Sequence, residues 1–245
     1  MHPALAIAET ALRARKLDRT LTTALPPLDR IDPSRCIATD VAALDACLQG
    51  GLPRGQLSEI AGPRSSGRTT LLLQLVAAAT RRGEIAALID TFDALDVASL
   101  VAGDVDLDRV LWIRGDAIAS PHASLVDRVV DRALKALTLV VQAGGVGVVA
   151  IDLADVPGAV LKRLPFTTWM RIQRMVEGSD TACVLLVSEP LARSAGGLTL
   201  SLSGRPSWAG GSDRSRRLAG LAIRTTVVSP RRRVSGDVRL AAIVR

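Results

Sequence analysis

Aromatic residues are nearly absent from this chain. Its 245 residues include no Tyr, two Phe and three Trp, although 48% of the sequence is hydrophobic. The apolar side chains are therefore small or aliphatic, as in strands of Val, Ile and Leu that are covered by helices of Ala and Leu. The composition thus predicts an α/β domain with a sizeable core and excludes a disordered chain.

Cysteine and histidine are scarce, and no hydrophobic run is long. Cys36, Cys47 and Cys183 are isolated, and neither histidine has a neighbour that could share a metal ion, so we expect no disulfide framework and no zinc site. The longest uncharged stretch, residues 136–151, is too short to span a membrane, and the N-terminus lacks the features of a signal peptide. We therefore expect a soluble cytoplasmic protein without a membrane partner.

Lysine is rare among the basic residues. Three of the 31 basic residues are Lys and the others are Arg, and the net charge is +7. An excess of positive charge favours an acidic partner, nucleic acid first, and Arg binds phosphate in a bidentate geometry. The coding bias of a GC-rich genome explains the same enrichment, so the positions of the arginines matter more than their number.

The order of residues along the chain predicts two parts. Apolar residues at helical spacing over 4–25 predict an amphipathic helix, which Pro26 and Pro27 end. Residues 1–35 then form an N-terminal helix with its linker, and residues 36–245 form the core domain. The helix packs either on its own domain or on another protein.

Strands and helices alternate in the core domain. We predict strands at 56–61, 85–90, 110–113, 147–151, 182–187, 218–228 and 237–244, and helices at 41–48, 67–81, 93–101, 121–142 and 166–177. This alternation predicts an α/β fold with a mostly parallel β-sheet flanked by helices and antiparallel strands at one edge. Residues 189–217, which are rich in Gly, Ser and Arg, are predicted to be irregular.

A glycine-rich run joins the first long strand to the helix that follows it. It consists of Gly62, Pro63, Arg64, Ser65, Ser66, Gly67, Arg68, Thr69 and Thr70. The spacing Gly-x-x-x-x-Gly-x-Thr in this setting is that of a phosphate-binding P-loop, where backbone N–H groups and a helix N-terminus surround an anion. The Lys of that motif is Arg68 here, whose forked shape suits the transition state poorly. Losing a comparable contact costs about 3–4 kcal/mol of barrier.

Two carboxylates at strand ends extend the predicted pocket. Asp152 follows the apolar strand at 147–151, as a Walker B carboxylate does, and with Thr69 it would hold Mg²⁺ if ATP or ADP binds. Asp90 ends the strand at 85–90, where a water-activating carboxylate is sought. The alternatives are a strand-end cap at Asp152 and a loop that binds nucleotide weakly or not at all.

The chain resembles bacterial RecA over about residues 36–245, and most closely over 37–96. The motifs that carry the resemblance are Gly50-Gly-Leu-Pro-Arg-Gly-Gln, Glu59-Ile-Ala-Gly-Pro-Arg-Ser-Ser-Gly-Arg-Thr-Thr-Leu and Leu88-Ile-Asp-Thr-Phe-Asp-Ala-Leu-Asp. The resemblance implies a RecA-like P-loop core. It also places Phe92 at RecA's catalytic glutamate, Glu189 at the glutamine that senses the γ-phosphate, and Ser99 near the adenine-stacking tyrosine. These exchanges predict weak or absent hydrolysis and no catalytic residue.

A short RecA-like chain with a degraded pocket and an amphipathic N-terminal segment resembles the ImuA family. That resemblance implies an accessory role in SOS-induced DNA repair by mutagenic translesion synthesis. The partners it implies are an ImuB-like polymerase homologue, an error-prone C-family polymerase, RecA and single-stranded DNA.

Candidate DNA-binding residues lie in the segment 189–217, which falls where RecA has its second DNA-binding loop. They are Arg193, Arg205, Trp208, Arg214, Arg216 and Arg217. The arginines would contact phosphates, and the indole would stack on a base. The alternative is a solvated loop in a protein whose cations are nearly all Arg.

Three functions are compatible with these patterns. The leading hypothesis is a non-hydrolysing accessory protein. The second is an active DNA-dependent ATPase or recombinase regulator that uses Asp90 or Asp93 as its carboxylate. The third is a structural adaptor that binds neither nucleotide nor DNA and holds a partner with its N-terminal helix.

Overall fold

The structure, a computed structural model, describes residues 32–116, 123–192, 197–212, 214–228 and 238–243. The amphipathic helix predicted at the N-terminus lies outside these residues, so both of its predicted packing arrangements stay predictions.

Strands and helices alternate along the described residues. The strands are β1 (Cys36–Ile37), β2 (Leu52–Pro53), β3 (Gln56–Ala61), β4 (Ala86–Asp90), β5 (Val110–Arg114), β6 (Val148–Asp152), β7 (Ala182–Val187), β8 (Thr199–Ala209), β9 (Arg217–Val228) and β10 (Val238–Ile243). The helices are α1 (Ala42–Leu48), α2 (Arg68–Arg81), α3 (Val97–Ala102), α4 (Ala123–Ala143), α5 (Gly158–Leu161) and α6 (Phe166–Val176). Not one of these helices has the length and apolar character that crossing a membrane requires.

Eight of the described strands form one sheet in the order β10-β9-β8-β3-β7-β6-β4-β5. Every pair from β8 to β5 in that order is parallel, whereas β8 with β9 and β9 with β10 are antiparallel. The predicted α/β fold, with antiparallel strands at one edge, is confirmed. Because parallel strands end at the same edge of a sheet, the loop after β3 and the end of β6 lie close together, with only β7 between them.

Helices cover both faces of the sheet. Leu75 of α2 and Ile60 of β3 belong to one buried apolar cluster, and Leu137 of α4, Ile172 of α6 and Leu57 of β3 belong to the other. Successive residues of β3 point to opposite faces and so supply both clusters. Strands that are covered on both faces must be apolar throughout, which explains the continuous apolar runs of β6 and β7.

The prediction of an irregular segment at 189–217 is wrong for residues 199–209. They form β8, which pairs with β9 in a long antiparallel hairpin. Only one face of β8 is covered, since Leu202 is buried while Arg205 is exposed. Gly204 and Pro206 interrupt the apolar alternation, which is therefore too weak to indicate a strand.

The helix predicted at 93–101 begins four residues later, at Val97. The buried carboxylate of Asp90 accepts hydrogen bonds from two backbone N–H groups of the intervening segment, at 2.9 and 2.8 Å. These bonds hold that segment as a turn. Asp96 then caps the helix by accepting hydrogen bonds from two N–H groups of its first turn.

Candidate functional site

The phosphate loop has the strand-loop-helix setting that its sequence predicts. β3 leads into it, and α2 begins at Arg68. Ser65 and Gly67 have positive φ angles of 62° and 90°, and the N–H of Ser66 donates to the carbonyl oxygen of Pro63 at 3.2 Å. The N–H groups of the first turn of α2 have no partner within the helix and lie at its positive end. The loop thus has the backbone geometry of an anion site.

The hairpin of β8 and β9 packs on this loop. A Cβ atom at Gly67 would fall on the side chain of Ile223, and one at Gly204 would fall on the carbonyl oxygen of Ser65. Close approach therefore requires glycine at both positions, and the φ angle adds a second requirement at Gly67. Together with Leu221, which lines the cleft at the loop, these contacts make the hairpin one wall of the pocket.

Arg68 is turned onto the loop itself. Only 9% of its side chain is exposed. One guanidinium nitrogen donates to the carbonyl oxygen of Gly62 at 2.5 Å, and another lies 3.4 Å from Oδ1 of Asp155. The same oxygen lies 3.3 Å from Nε of Arg64. Arg68 therefore closes the loop on its first residue, and Asp155, which no sequence motif marks, faces both arginines.

A cleft of about 290 Å³ opens at the loop. Its lining residues are Arg64, Ser65, Gly67, Arg68, Thr69, Thr70, Asp155 and Leu221. Its volume is close to the lower end of the roughly 300–1,000 Å³ that small-molecule and cofactor sites typically occupy. Gly62, Pro63 and Ser66, the other predicted loop residues, are not among those that line it.

Asp152 lies at the end of β6, with β7 between it and β3. Its Oδ1 accepts a hydrogen bond from the N–H of Ala154 at 2.9 Å, so Asp152 does cap the segment after its strand. Burial raises the pKa of Asp152 to about 6, against the opposing effects of the Ala154 N–H and the positive charge of Arg68. The described residues contain no cluster of three or more metal-binding side chains, and Mg²⁺ binding here stays a prediction.

Asp90 is buried at the end of β4, in register with Asp152 of β6. Its carboxylate accepts hydrogen bonds from the N–H groups of Ala94 (2.9 Å) and Leu95 (2.8 Å) and from Nε1 of Trp112 (3.2 Å). Three donors occupy much of the accepting capacity of a carboxylate. Asp90 therefore fixes the turn after β4. The ATPase hypothesis instead needs a carboxylate at this strand end that can take a proton from water.

Phe92 and Asp93 belong to the same turn. Phe92, at the position of RecA's catalytic glutamate, is partly buried against the apolar cluster beneath α4. Both carboxylate oxygens of Asp93 accept hydrogen bonds from Arg114, at 2.7 Å each, and this pairing lowers the pKa of Asp93. Arg114 also lies over the ring of Trp112, with 4.7 Å to the centroid. Asp93 is thus bound in a structural ion pair.

The two other exchanged positions lie at the surface. Glu189 is exposed, 3.9 Å from Nζ of Lys162. Ser99 is in the first turn of α3, where its N–H and its hydroxyl donate to Asp96. Neither side chain lines the cleft at the phosphate loop.

Glu59, the first residue of the second RecA-like motif, is a buried carboxylate to which the sequence assigned no role. It lies on β3, three residues before the loop, and is fully buried. Oε1 accepts hydrogen bonds from the N–H groups of Leu191 (2.8 Å) and Ala192 (2.6 Å), and Oε2 accepts one from the hydroxyl of Thr199 (2.9 Å). Glu59 thereby ties the segment after β7 to the strand that leads into the phosphate loop. In the sequence, the signal for this role is a charged residue within an otherwise apolar strand.

Part of the predicted DNA-binding set comes together at the tip of the hairpin. The guanidinium of Arg216 lies over the ring of Trp208, 5.4 Å from its centroid, and Trp208 is 51% exposed. The exposed arginines of the set are Arg205, Arg214, Arg216 and Arg217. Arg193 lies outside the described residues. The hairpin that forms one wall of the phosphate cleft therefore also carries a basic and aromatic surface.

Comparison with known proteins finds similarity to RecA. The family model of the RecA N-terminal domain matches residues 29–162, a range that includes the phosphate loop, Phe92 and Asp152 and ends before the hairpin. RecA of a Nitratiruptor species is 37% identical over 124 residues, which cover 50% of this chain and 33% of that protein.

Two further RecA proteins are similar over about half of the chain. RecA of Methylococcus capsulatus is 40% identical over 117 residues (47% of this chain, 30% of that RecA). RecA of Clavibacter michiganensis is 36% identical over 150 residues (55% and 38%). The chain therefore spans about a third of the length of the RecA proteins that it matches.

Proposed function

Because the chain belongs to the RecA N-terminal domain family, we propose that it is a RecA-like accessory protein of DNA repair that does not hydrolyse ATP. Its setting in this proposal is SOS-induced mutagenic translesion synthesis. Its protein partners are an ImuB-like polymerase homologue, an error-prone C-family polymerase and RecA. Single-stranded DNA is a further partner. ATP or ADP with Mg²⁺ would be bound without being hydrolysed.

The residues at the positions where a water-activating carboxylate is expected carry this proposal. Hydrolysis needs a base within reach of the attacking water. Phe92 instead packs on the core, Asp90 holds a backbone turn, and Asp93 is in a bidentate ion pair. The guanidinium of Arg68, bound to a carbonyl oxygen of its own loop, supports the same conclusion, because a P-loop uses its cation to stabilise the transferred phosphate.

Phosphate release from ATP and Mg²⁺, measured with and without single-stranded DNA, tests the absence of hydrolysis. We expect the wild type to release phosphate at the background rate, and Asp152→Ala to leave that rate unchanged. Asp127→Ala, which removes an exposed aspartate outside the cleft, is the matched control. The proposal would be contradicted, and the ATPase hypothesis supported, if DNA stimulates phosphate release and Asp152→Ala abolishes that release while Asp127→Ala does not.

The pair of Trp208 and Arg216 supports single-stranded DNA as a partner. An exposed indole with a guanidinium over its ring offers one surface for a base and one charge for a phosphate. Base–aromatic stacking contributes about 1–3 kcal/mol per base. Arg205, on the exposed face of β8, would add a phosphate contact along the strand.

Fluorescence anisotropy of a labelled oligonucleotide, titrated at several salt concentrations, separates these contributions. We expect Trp208→Ala to weaken binding by about fivefold to a hundredfold with the salt slope retained. Arg205→Ala is expected to weaken binding and to reduce the salt slope by about one. Arg174→Ala, an exposed arginine on α6, is the control and should bind as the wild type does. Equal affinities for all four proteins would exclude the hairpin as the DNA contact.

The N-terminal segment, residues 1–35, carries the protein contact in this proposal. Deleting residues 1–25, which include its predicted helix, is expected to abolish capture by the ImuB-like polymerase homologue while DNA binding is retained. The structural adaptor would be favoured instead by two results together: the full-length protein binds neither a labelled ATP analogue nor DNA, and the deletion abolishes capture.

A further inference from the structure

Arg64, Arg68 and Asp155 form a cluster in the phosphate cleft that the absence of hydrolysis does not explain. We propose that Asp155 is an internal ligand of the phosphate loop, whose carboxylate competes with nucleotide phosphate for Arg64 and Arg68. The inference concerns the same pocket as the proposed function and describes what controls access to it.

The carboxylate lies where it can take the place of a phosphate oxygen. A single oxygen, Oδ1 of Asp155, lies 3.3 Å from Nε of Arg64 and 3.4 Å from a terminal nitrogen of Arg68. The two arginines lie four residues apart in the loop, and all three side chains line the same cleft. Carboxylate and phosphate oxygens make the same charge-assisted hydrogen bonds with a guanidinium, so both ligands would use the same donors.

The backbone around Asp155 holds this residue at the cleft. Leu153, Ala154 and Val156 are buried while Asp155 is exposed, so the turn after β6 must direct this one side chain outward. The turn is fixed by hydrogen bonds from the N–H of Leu153 to the carbonyl oxygen of Leu186 (2.9 Å) and from the N–H of Val156 to that of Leu153 (3.1 Å). A nucleotide would therefore enter beside a negatively charged side chain whose backbone is fixed.

The ion pairs themselves are loose enough to be replaced. Their distances of 3.3 and 3.4 Å exceed the roughly 2.7–2.9 Å of a strong charge-assisted hydrogen bond. Arg64 is largely exposed and is free to turn toward an incoming phosphate, whereas Arg68 is held by its bond to Gly62. Removing the carboxylate should therefore raise the affinity for a phosphate-bearing ligand without rebuilding the loop.

Binding of N-methylanthraniloyl-ADP to the full chain, followed by fluorescence with Mg²⁺ and with EDTA, tests this inference. We expect Asp155→Ala to bind the probe at least about tenfold more tightly than the wild type under both conditions, because one unit of opposing charge is removed from the cleft. Asp155→Asn, which keeps the shape of the side chain, is expected to show a gain of the same sign. Inorganic pyrophosphate should displace the probe from both variants.

Asp127→Ala is the matched control. Asp127 also pairs with an arginine, Arg163, at 2.6 Å and is similarly exposed, but it lies outside the cleft. The control is expected to bind the probe as weakly as the wild type does. Circular dichroism melting establishes whether each variant is folded. If Asp155→Ala does not fold, Asp155→Asn still tests the inference.

Several outcomes would overturn the inference. Affinities that do not differ among the wild type, Asp155→Ala and Asp155→Asn would show that the carboxylate does not compete. Weaker binding by the variants in Mg²⁺ alone would make Asp155 a cation ligand, and a probe that pyrophosphate cannot displace would lie elsewhere. Phosphate release is measured separately: brisk release by the wild type would refute the proposed function and leave the comparison of affinities valid.

Discussion

Two carboxylates at equivalent strand ends differ because their immediate neighbours differ. Asp90 and Asp152 are register partners at the ends of β4 and β6. Asp90 gains three hydrogen-bond donors in exchange for lost water, whereas Asp152 gains one from Ala154. Burial with so little compensation raises the pKa of Asp152 to about 6. The number of hydrogen-bond donors around a strand-end carboxylate therefore depends on its neighbours rather than on its position in a motif.

Replacing Asp152 by Asn should stabilise the protein at neutral pH. The folded-state pKa of about 6 lies above the ordinary aspartate value of 3.8, so the folded state binds the proton more strongly and stability falls as pH rises between these values. The wild type should therefore lose about 2–3 kcal/mol relative to Asp152→Asn between about pH 4 and pH 7. Urea unfolding of both proteins over this range measures the difference. Glu189→Gln, at an exposed position, should show none, and a difference at Asp152 that does not change with pH would contradict the prediction.

Motif spacing locates the phosphate loop and Asp152, but it cannot find Asp155 or Glu59. Asp155 contacts Arg64 and Arg68, which lie 91 and 87 residues earlier in the chain. Glu59 binds backbone groups 132 and 133 residues later. Such partners meet only because β3, β7 and β6 are adjacent, and that adjacency is a property of the sheet rather than of any local pattern.

Among the elements, the hairpin of β8 and β9 connects two candidate sites. Its inner face touches the phosphate loop through Gly204 and Ile223, and its tip carries the Trp208–Arg216 pair. Strands with two covered faces, such as β6, are evident from sequence because they are apolar throughout. β8 is not, because a single covered face leaves too few apolar residues to distinguish a strand from a loop.

Substitution of Gly204 should loosen the hairpin from the loop. A Cβ atom there would fall on the carbonyl oxygen of Ser65 and would lie 3.0 Å from Leu221 and 3.1 Å from Cα of Ser66. Because backbone atoms must move to admit it, Gly204→Ala should destabilise the protein by about 1–3 kcal/mol. Thermal unfolding measures the loss. Gly211→Ala, where a Cβ atom would meet nothing within 4 Å, is the control, and equal melting temperatures for the two variants would refute the packing of hairpin on loop.

The described part of the molecule has a buried centre and an open edge. β3, β7 and β6 lie inside the sheet and are buried along nearly their whole length. β5 is at the edge, where it pairs with β4 and leaves Leu111 46% exposed. An edge strand with exposed apolar residues is a surface on which another chain can pair.

Hydrogen exchange should follow this arrangement. Amides of β7 have sheet partners on both sides and are expected to exchange only when the whole domain unfolds, while amides on the open side of β5 should exchange through local opening. Mass spectrometry of deuterated peptides resolves the two strands. Protection of β5 that equals that of β7 would mean that the edge is covered, and a dependence of that protection on protein concentration would identify a second copy as the cover.

Arg68 and Gly62 fix the shape of the phosphate loop with atoms of the chain alone. Proteins whose pockets are completed by a ligand gain stability as the concentration of that ligand rises. Because the bond from Arg68 to Gly62 lies within the chain, the loop can keep its shape before a phosphate arrives, and any stability that a bound phosphate adds comes on top of it.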